Sequence, residues 1–298
     1  MRLTSGGIDG IEGISSVMKS VVATFTCVTA LGVAAVASGQ TAPAATTWTG
    51  AYIAATVGAA LQRDDASETV GFDTNLDGTF DDTVRTVAGA NAFSPGFCAG
   101  VALGPQPAAG CTEDEDAADV GGRVGYDWQR GRLVIGAVAD LSRANVIDGV
   151  TAFSTTPAFY SFSRELNYMA GLRARVGFGT DRVLVYGTGG GAWASIEHVF
   201  TSSNGVNTFA PATGETRTGG AWGYQAGGGL EIRLGGRWTV SGEYLFSSLD
   251  AGDDGIVRSA GPAPATNPFI LVNAAGTDMK RSDRFDVHSA RLGLSYRF

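Results

Sequence analysis

Residues 285–298 read FDVHSARLGLSYRF, and this stretch decides the fold. Counting back from its end, Phe298, Tyr296, Leu294, Leu292 and Ala290 are apolar. The residues between them, Arg297, Ser295, Gly293, Arg291 and Ser289, are small or charged. Side chains on a strand point alternately to opposite faces, so a period of two marks a strand with one apolar and one polar surrounding.

Seven more stretches repeat the pattern, over residues 48–61, 120–128, 133–141, 164–178, 183–199, 218–234 and 238–249. The clearest is RELNYMAGLRARVGF at 164–178. There Leu166, Tyr168, Ala170, Leu172, Ala174, Val176 and Phe178 share one face, and Glu165, Asn167, Arg173 and Arg175 the other. An amphipathic helix needs apolar residues three to four apart, and this segment lacks that spacing. The connections alternate in length: 62–118, 142–163, 200–217 and 250–283 are read as long loops, and 129–132, 179–182 and 235–237 as tight turns. The 129–132 turn is expected to pair Trp128 with Leu133 and Arg123 with Val138. A glycine bulge at 235–237 is expected to pair Leu234 with Trp238. An open soluble sandwich gives no reason to sort loop lengths this strictly. The pattern predicts an all-β fold, an eight-stranded antiparallel transmembrane β-barrel with short periplasmic turns and long extracellular loops. Trp128, Phe178, Trp238 and Phe298 then form an aromatic girdle on the periplasmic side.

Composition agrees. The chain has 298 residues, of which 44 are Gly and only 17 % are charged, and its mean hydropathy is close to zero. Strands that alternate between lipid and lumen average to such a value. No apolar run in the body of the chain is long enough for a membrane helix. The net charge of −8 argues against nucleic acid as a partner.

The front of the chain reads differently. Met18 and Lys19 precede a mostly apolar run, 21–36, that ends in Ala35, Val36 and Ala37. This is the form of a secretory signal over residues 1–37, with Met18 as a candidate true start; a membrane anchor is the alternative. Residues 38–47 are a short periplasmic lead, and 48–298 the barrel. Cys98 and Cys111 then remain, and an even count in an exported chain favours a disulfide over free thiols or a metal site.

WTGAYIAATVGAA, VGGRVGYDWQRGRLVIGAVADLS, LVYGTGGGAWA and WGYQAGGGLEIRLGGRWTVSGEYLF are similar to the small outer-membrane β-barrel proteins of the opacity/porin-like family of alphaproteobacteria, related in architecture to the OmpA-type barrel. The likeness covers nearly all strands and fails in the loops. It implies the cell outer membrane of a Gram-negative bacterium, contact with outer-membrane lipid, and eight strands; it implies no catalytic residues. The ending on Tyr296 and Phe298 resembles the signal read by the β-barrel assembly machinery.

Three groups of residues invite a function. Arg123, Asp140, Glu165, Arg173, Arg175, Glu231, Arg233, Glu243 and Arg291 are expected to face the lumen, with Arg123, Asp140, Arg173, Glu243 and Arg291 at mid-barrel depth. An eight-stranded barrel is only wide enough to be filled by side chains, so these charges must pair. They form either a permanent plug or a narrow gate whose pairs exchange to pass small solutes. The first loop carries DTNLDGTFDD, in which Asp73, Asn75, Asp77 and Asp81 match calcium-loop positions around Gly78. Val84 stands where such a loop needs Glu; an acidic solvated turn is the other reading, and no other cofactor is implied. His198 and His288 are expected near the outer rim as interfacial residues. His288 and Ser289 are neighbours on a strand, so they point to opposite faces and cannot form a lipase-like pair without a bulge. The functional expectation is a structural or surface protein with at most a narrow porin-like pore. The alternative is a surface binding module whose loops engage an extracellular ligand, haem, calcium or a host surface. A lipid-acting enzyme ranks third.

Overall fold

The computed structural model describes residues 47–62, 68–211, 213–250, 254–281 and 284–298. The signal reading at 1–37 and all but Thr47 of the periplasmic lead lie outside the described residues. In chain order the strands are β1 (Gly50–Leu61), β2 (Val70–Asp73), β3 (Gly96–Ala99), β4 (Ala117–Arg130), β5 (Leu133–Ser154), β6 (Ala158–Gly179) and β7 (Val183–Ser202). There follow β8 (Thr208–Ala210), β9 (Thr216–Gly235), β10 (Trp238–Asp250), β11 (Val257–Ala260), β12 (Thr277–Arg281) and β13 (Phe285–Arg297).

Eight of these close a ring. β1 pairs with β4, then β5, β6, β7, β9, β10 and β13 follow, and β13 pairs back onto β1, every pair antiparallel. Closure leaves no edge, which is what lets strands sit in lipid with every backbone group bonded. The two faces sort as the alternation requires. On β13, Leu292 and Leu294 face out and are 64 % and 48 % exposed, whereas Arg291 and Arg297 face in at 3 % and 6 %. Trp128, Phe178, Trp238 and Phe298 stand exposed at the turn end, and Tyr296 packs edge-on between Trp238 and Phe298. Glycine fits large rings into the small lumen. A Cβ on Gly125 would run into the Tyr52 ring, and one on Gly229 into the Tyr186 hydroxyl.

The register differs from expectation in detail. Between β4 and β5 the ladder runs two residues further, so Arg130 pairs with Leu133, Trp128 with Ile135, and Arg123 with Asp140. The turn is only Gly131 and Arg132, with Gly131 at φ 62°, the left-handed conformation a tight hairpin needs at its first position. A shift by two keeps every side chain on its expected face. At the β9–β10 hairpin the bulge is present, but Trp238 pairs with Gly235 and Thr239 with Arg233, leaving Leu234 as the extra residue.

Larger corrections concern what lies above the membrane. Residues 142–163 are not a loop. β5 and β6 are each 22 residues long and turn only at 155–157. At about 3.3 Å per residue each reaches roughly 70 Å, whereas about 9–11 residues cross a bilayer. The ladder is interrupted by a bulge in β5 between Arg143 and Val146, and one in β6 between Leu166 and Tyr168. An extra residue flips the facing of everything beyond it. Glu165, expected inward, is therefore half-exposed and bonded by Asn145, while Leu166, expected outward, is fully buried.

Nor are the remaining connections solvated loops. β2, β12, β11 and β8, drawn from three of them, form a second sheet in that order. β3 pairs with the upper part of β5. Phe72, Phe93, Phe162, Phe200 and Phe269 are buried together with Tyr160, and Phe209 packs against them. The extracellular segments thus fold into a cap with its own aromatic core. A disulfide between Cys98 and Cys111 ties β3 to the chain that follows it.

Candidate functional site

The lumen is the most concentrated chemistry in the molecule. β4 brings Asp119, Arg123 and Asp127, β5 brings Asp140, β6 brings Arg173 and Arg175, β9 brings Glu231, β10 brings Glu243, and β13 brings Arg291 and Arg297. All ten are buried.

At mid-barrel Glu243 takes both Arg123 and Arg173, the latter at 3.3 Å. Arg173 also reaches Asp140 at 2.6 Å. Arg291 bonds Asp119 at 2.7 Å, Asp140 at 3.3 Å and the Ser142 hydroxyl at 3.0 Å. These partners are not the nearest cross-strand neighbours. Arg123 stands beside Asp140 and Glu243 beside Arg291 in the ladder, yet Arg123 bonds Glu243 and Arg291 bonds Asp140. Inward side chains in so narrow a barrel converge on its axis and meet across it.

A second layer lies toward the periplasm. Arg175 bonds Glu231 at 2.6 Å and Asp127 at 3.4 Å, and Arg297 bonds the same two acids at 2.9 and 2.8 Å. The layers are joined by Tyr186, whose hydroxyl donates to Glu243 at 2.8 Å and whose ring carries the Arg175 guanidinium at 4.1 Å. Trp48 closes the bottom. It is fully buried, its indole N–H donates to the Thr180 carbonyl, and the Arg233 and Arg297 guanidiniums lie over its ring at 4.2 and 4.9 Å. Arg233, expected in the lumen, therefore sits at its lower edge. Five arginines meet five carboxylates in these layers, so the network is electrically neutral.

Arg123, Asp140, Arg173, Arg175, Glu231, Glu243 and Arg291 thus face the lumen where the alternation put them. Asp119 and Arg297 complete the network but were missing from the expected set. Asp119 lies just before the stretch read as a strand, and Arg297 lies among the residues of the chain end. Asp127, four residues on from Arg123 and so on the same face of β4, is the tenth charge.

A third ionic group stands above the membrane. Asp148 on β5 is fully buried and bonds Arg164 on β6 at 2.6 Å and Arg281 on β12 at 3.0 Å; Arg281 also bonds Glu68 at 3.0 Å. Burial pushes the Asp148 carboxyl up, but the two guanidiniums outweigh it and hold it below the usual carboxylate range. Oxygens of Glu68, Asp114 and Asp148 lie within 4.8 Å of one another. Arg281 shares two of these carboxylates and Gly149 N–H bonds the third, so the group fastens the cap to the barrel.

The candidate calcium residues are placed on one turn. Asp73 is buried, and its carboxylate accepts the N–H groups of Leu76, Asp77 and Gly78 at 2.6, 3.2 and 2.7 Å. Asn75 accepts from Asp77 N–H and Asp77 from Thr79 N–H, while Asp81 is exposed. The hydrogen bonds from Thr79 lower the Asp77 carboxyl. The Asp73, Asn75 and Asp77 oxygens are engaged by the loop's own amides.

His288 and Ser289 point to opposite faces as expected. His288 lies outside, bonded to the Tyr244 hydroxyl at 2.6 Å and stacked near Phe246, and Ser289 is fully buried inside. His198 lies toward the upper end of β7, on the inner face rather than at the lipid interface, and lines a cavity between barrel and cap.

Residues 26–298 match the sequence family described as outer membrane protein beta-barrel domain. The 31 kDa outer-membrane immunogenic proteins of Brucella melitensis and Brucella suis are 26 % identical over 182 residues, which is 60 % of this chain and 66 % of theirs, just under two thirds. Among solved structures, the outer membrane protein OprG of Pseudomonas aeruginosa aligns with 84 % of this chain and 97 % of its own, at TM-score 0.43 and 12 % identity. Ail, the attachment invasion locus protein of Yersinia pestis, aligns with 84 % of this chain and 99 % of its own, at 0.32 and 15 %.

Proposed function

Because the chain belongs to the outer-membrane β-barrel family, and so to the outer membrane, we propose that it acts as a closed barrel that displays a folded cap on the cell surface. The observation that carries this reading is the lumen network. Its ten charges neutralise one another in two joined layers, with Trp48 beneath. Selective pores line their walls with charge of one sign or with carbonyl dipoles. A neutral set of mutually bonded ions is the opposite arrangement, and moving any member leaves its partner buried and unpaired at a cost of several kcal/mol. The role is non-catalytic, and the opposed His288 and Ser289 fit that reading. Liposomes carrying the refolded protein are expected to swell in arabinose no faster than empty ones. Faster swelling that scales with protein loading would overturn the closed barrel.

A second reading, recognition by the cap, is favoured by its aromatic core. Four separate flexible loops would lose much entropy on binding a partner; a cap already fixed in one shape loses little. The immunogenic relatives in Brucella accord with a protein displayed at the surface.

A further inference from the structure

Between the barrel rim and the cap lies a cavity of about 190 Å³ lined by Arg164, His198, Arg217, Lys280, Arg281 and Arg284, with Asp250 and Asp254 as its carboxylates. The basic side chains come from β6, β7, β9, β12 and the residue just before β13, so the barrel's closure and the cap's docking both converge on this point. Several are already held. Arg164 and Arg281 share Asp148, Arg281 also bonds Glu68, Arg284 bonds Asp250 at 3.0 Å, and Arg217 donates to the Ile256 carbonyl at 3.3 Å. These contacts hold Arg164 and Arg281 and direct Arg217 and Arg284 around the cavity.

His198 reports what the cavity wants. Its Nε2 is buried with no hydrogen-bond partner, and Gly255, at φ 83°, packs against its Nδ1 edge so closely that no side chain would fit there. Burial and the positive charges of Arg164, Arg281 and Arg217 outweigh Asp254 and push the imidazole down to about 4. The surroundings of this ring are therefore positive and desolvated, with a polar nitrogen in want of a partner. A buried polar group without a partner is costly and calls for an explanation. Guanidinium donors held in fixed positions suit an oxyanion. The volume is below the roughly 300 Å³ at which drug-sized ligands begin, which fits one small polar group.

We propose that this cavity binds a phosphate group, with Arg217, Arg284 and His198 as its contacts. The site lies above the membrane-crossing part of the strands, so its phosphate comes either free from solution or on a lipid of the outer leaflet. It does not depend on whether the lumen conducts.

The test uses the refolded mature protein in zwitterionic micelles, with the His198 ring followed by NMR. Titrating inorganic phosphate at constant ionic strength is expected to shift the His198 signal saturably and to raise its pKa, while chloride does neither. Arg217→Gln, at an exposed position, is expected to weaken the response at least tenfold and to leave the folded, heat-modifiable band intact. If the source is lipid, phosphorylated lipid A vesicles produce the shift and dephosphorylated ones do not. A folded protein whose His198 responds to neither probe, or responds equally in the Arg217→Gln variant, would overturn the assignment.

Discussion

Glu243→Ala is expected to destabilise the barrel by about 3–5 kcal/mol, the cost of breaking a buried ion pair from one side. Glu243 is the one acid that takes both Arg123 and Arg173, and it also accepts the Tyr186 hydroxyl that joins the two lumen layers. Its removal leaves a lumen of five arginines and four carboxylates with nothing to screen them. Urea unfolding of the refolded protein in micelles measures the loss. Adding Arg123→Ala to the variant should recover part of it, because the double change removes an unpaired charge along with its partner. A loss below about 1 kcal/mol would place Glu243 in a water-filled channel, where exposed pairs are worth only about that much.

Phe93→Ala is expected to cost the cap about 3–5 kcal/mol, the usual range for removing a buried Phe. Its ring is fully enclosed, with Phe72 at 4.4 Å, Tyr160 at 5.3 Å and Phe269 at 5.8 Å between centroids. These three come from the first loop, from β6 and from the last loop. Phe93 therefore packs against all three segments at once, adding to the β2–β12 ladder and the Asp148 group that also join them. The barrel does not depend on it, since its ladders close below. In intact cells, chymotrypsin should cut the cap of the variant at least tenfold faster than the wild type, while the membrane-embedded fragment keeps its heat-modifiable migration. Equal cleavage in both would mean that the cap is not a packed unit.

Where the chain meets two media it was legible. Lipid on one side and packed polar groups on the other impose a period of two, and that period located all eight ring strands and seven of the ten lumen charges. The rest was hidden for identifiable reasons. About 9–11 residues suffice to cross a bilayer, so membrane thickness gives no reason to extend β5 beyond 141 or to start β6 before 164. Bulges at 143–146 and 166–168 then broke its phase, which is why Glu165 and Leu166 were set on the wrong faces. Cross-lumen partners such as Arg123 and Glu243 depend on side chains reaching over the axis, which a ladder register does not specify. The cap was the least legible part. Val70, Phe72, Val84 and Phe93 are scattered among Asp, Gly and Pro with no period, and their partners Tyr160, Phe200 and Phe269 lie far along the chain.

Single-channel recording in a planar bilayer tests the closed lumen most directly. Wild-type protein, folded by heat-modifiability, is compared with a variant carrying Arg123→Ser, Arg173→Ser and Glu243→Ser, which removes the three bonded groups at the centre of the upper layer. The wild type is predicted to be silent, and the folded variant to show discrete openings. Discrete, reproducible openings in the wild type would contradict the account and make the ion pairs a gate.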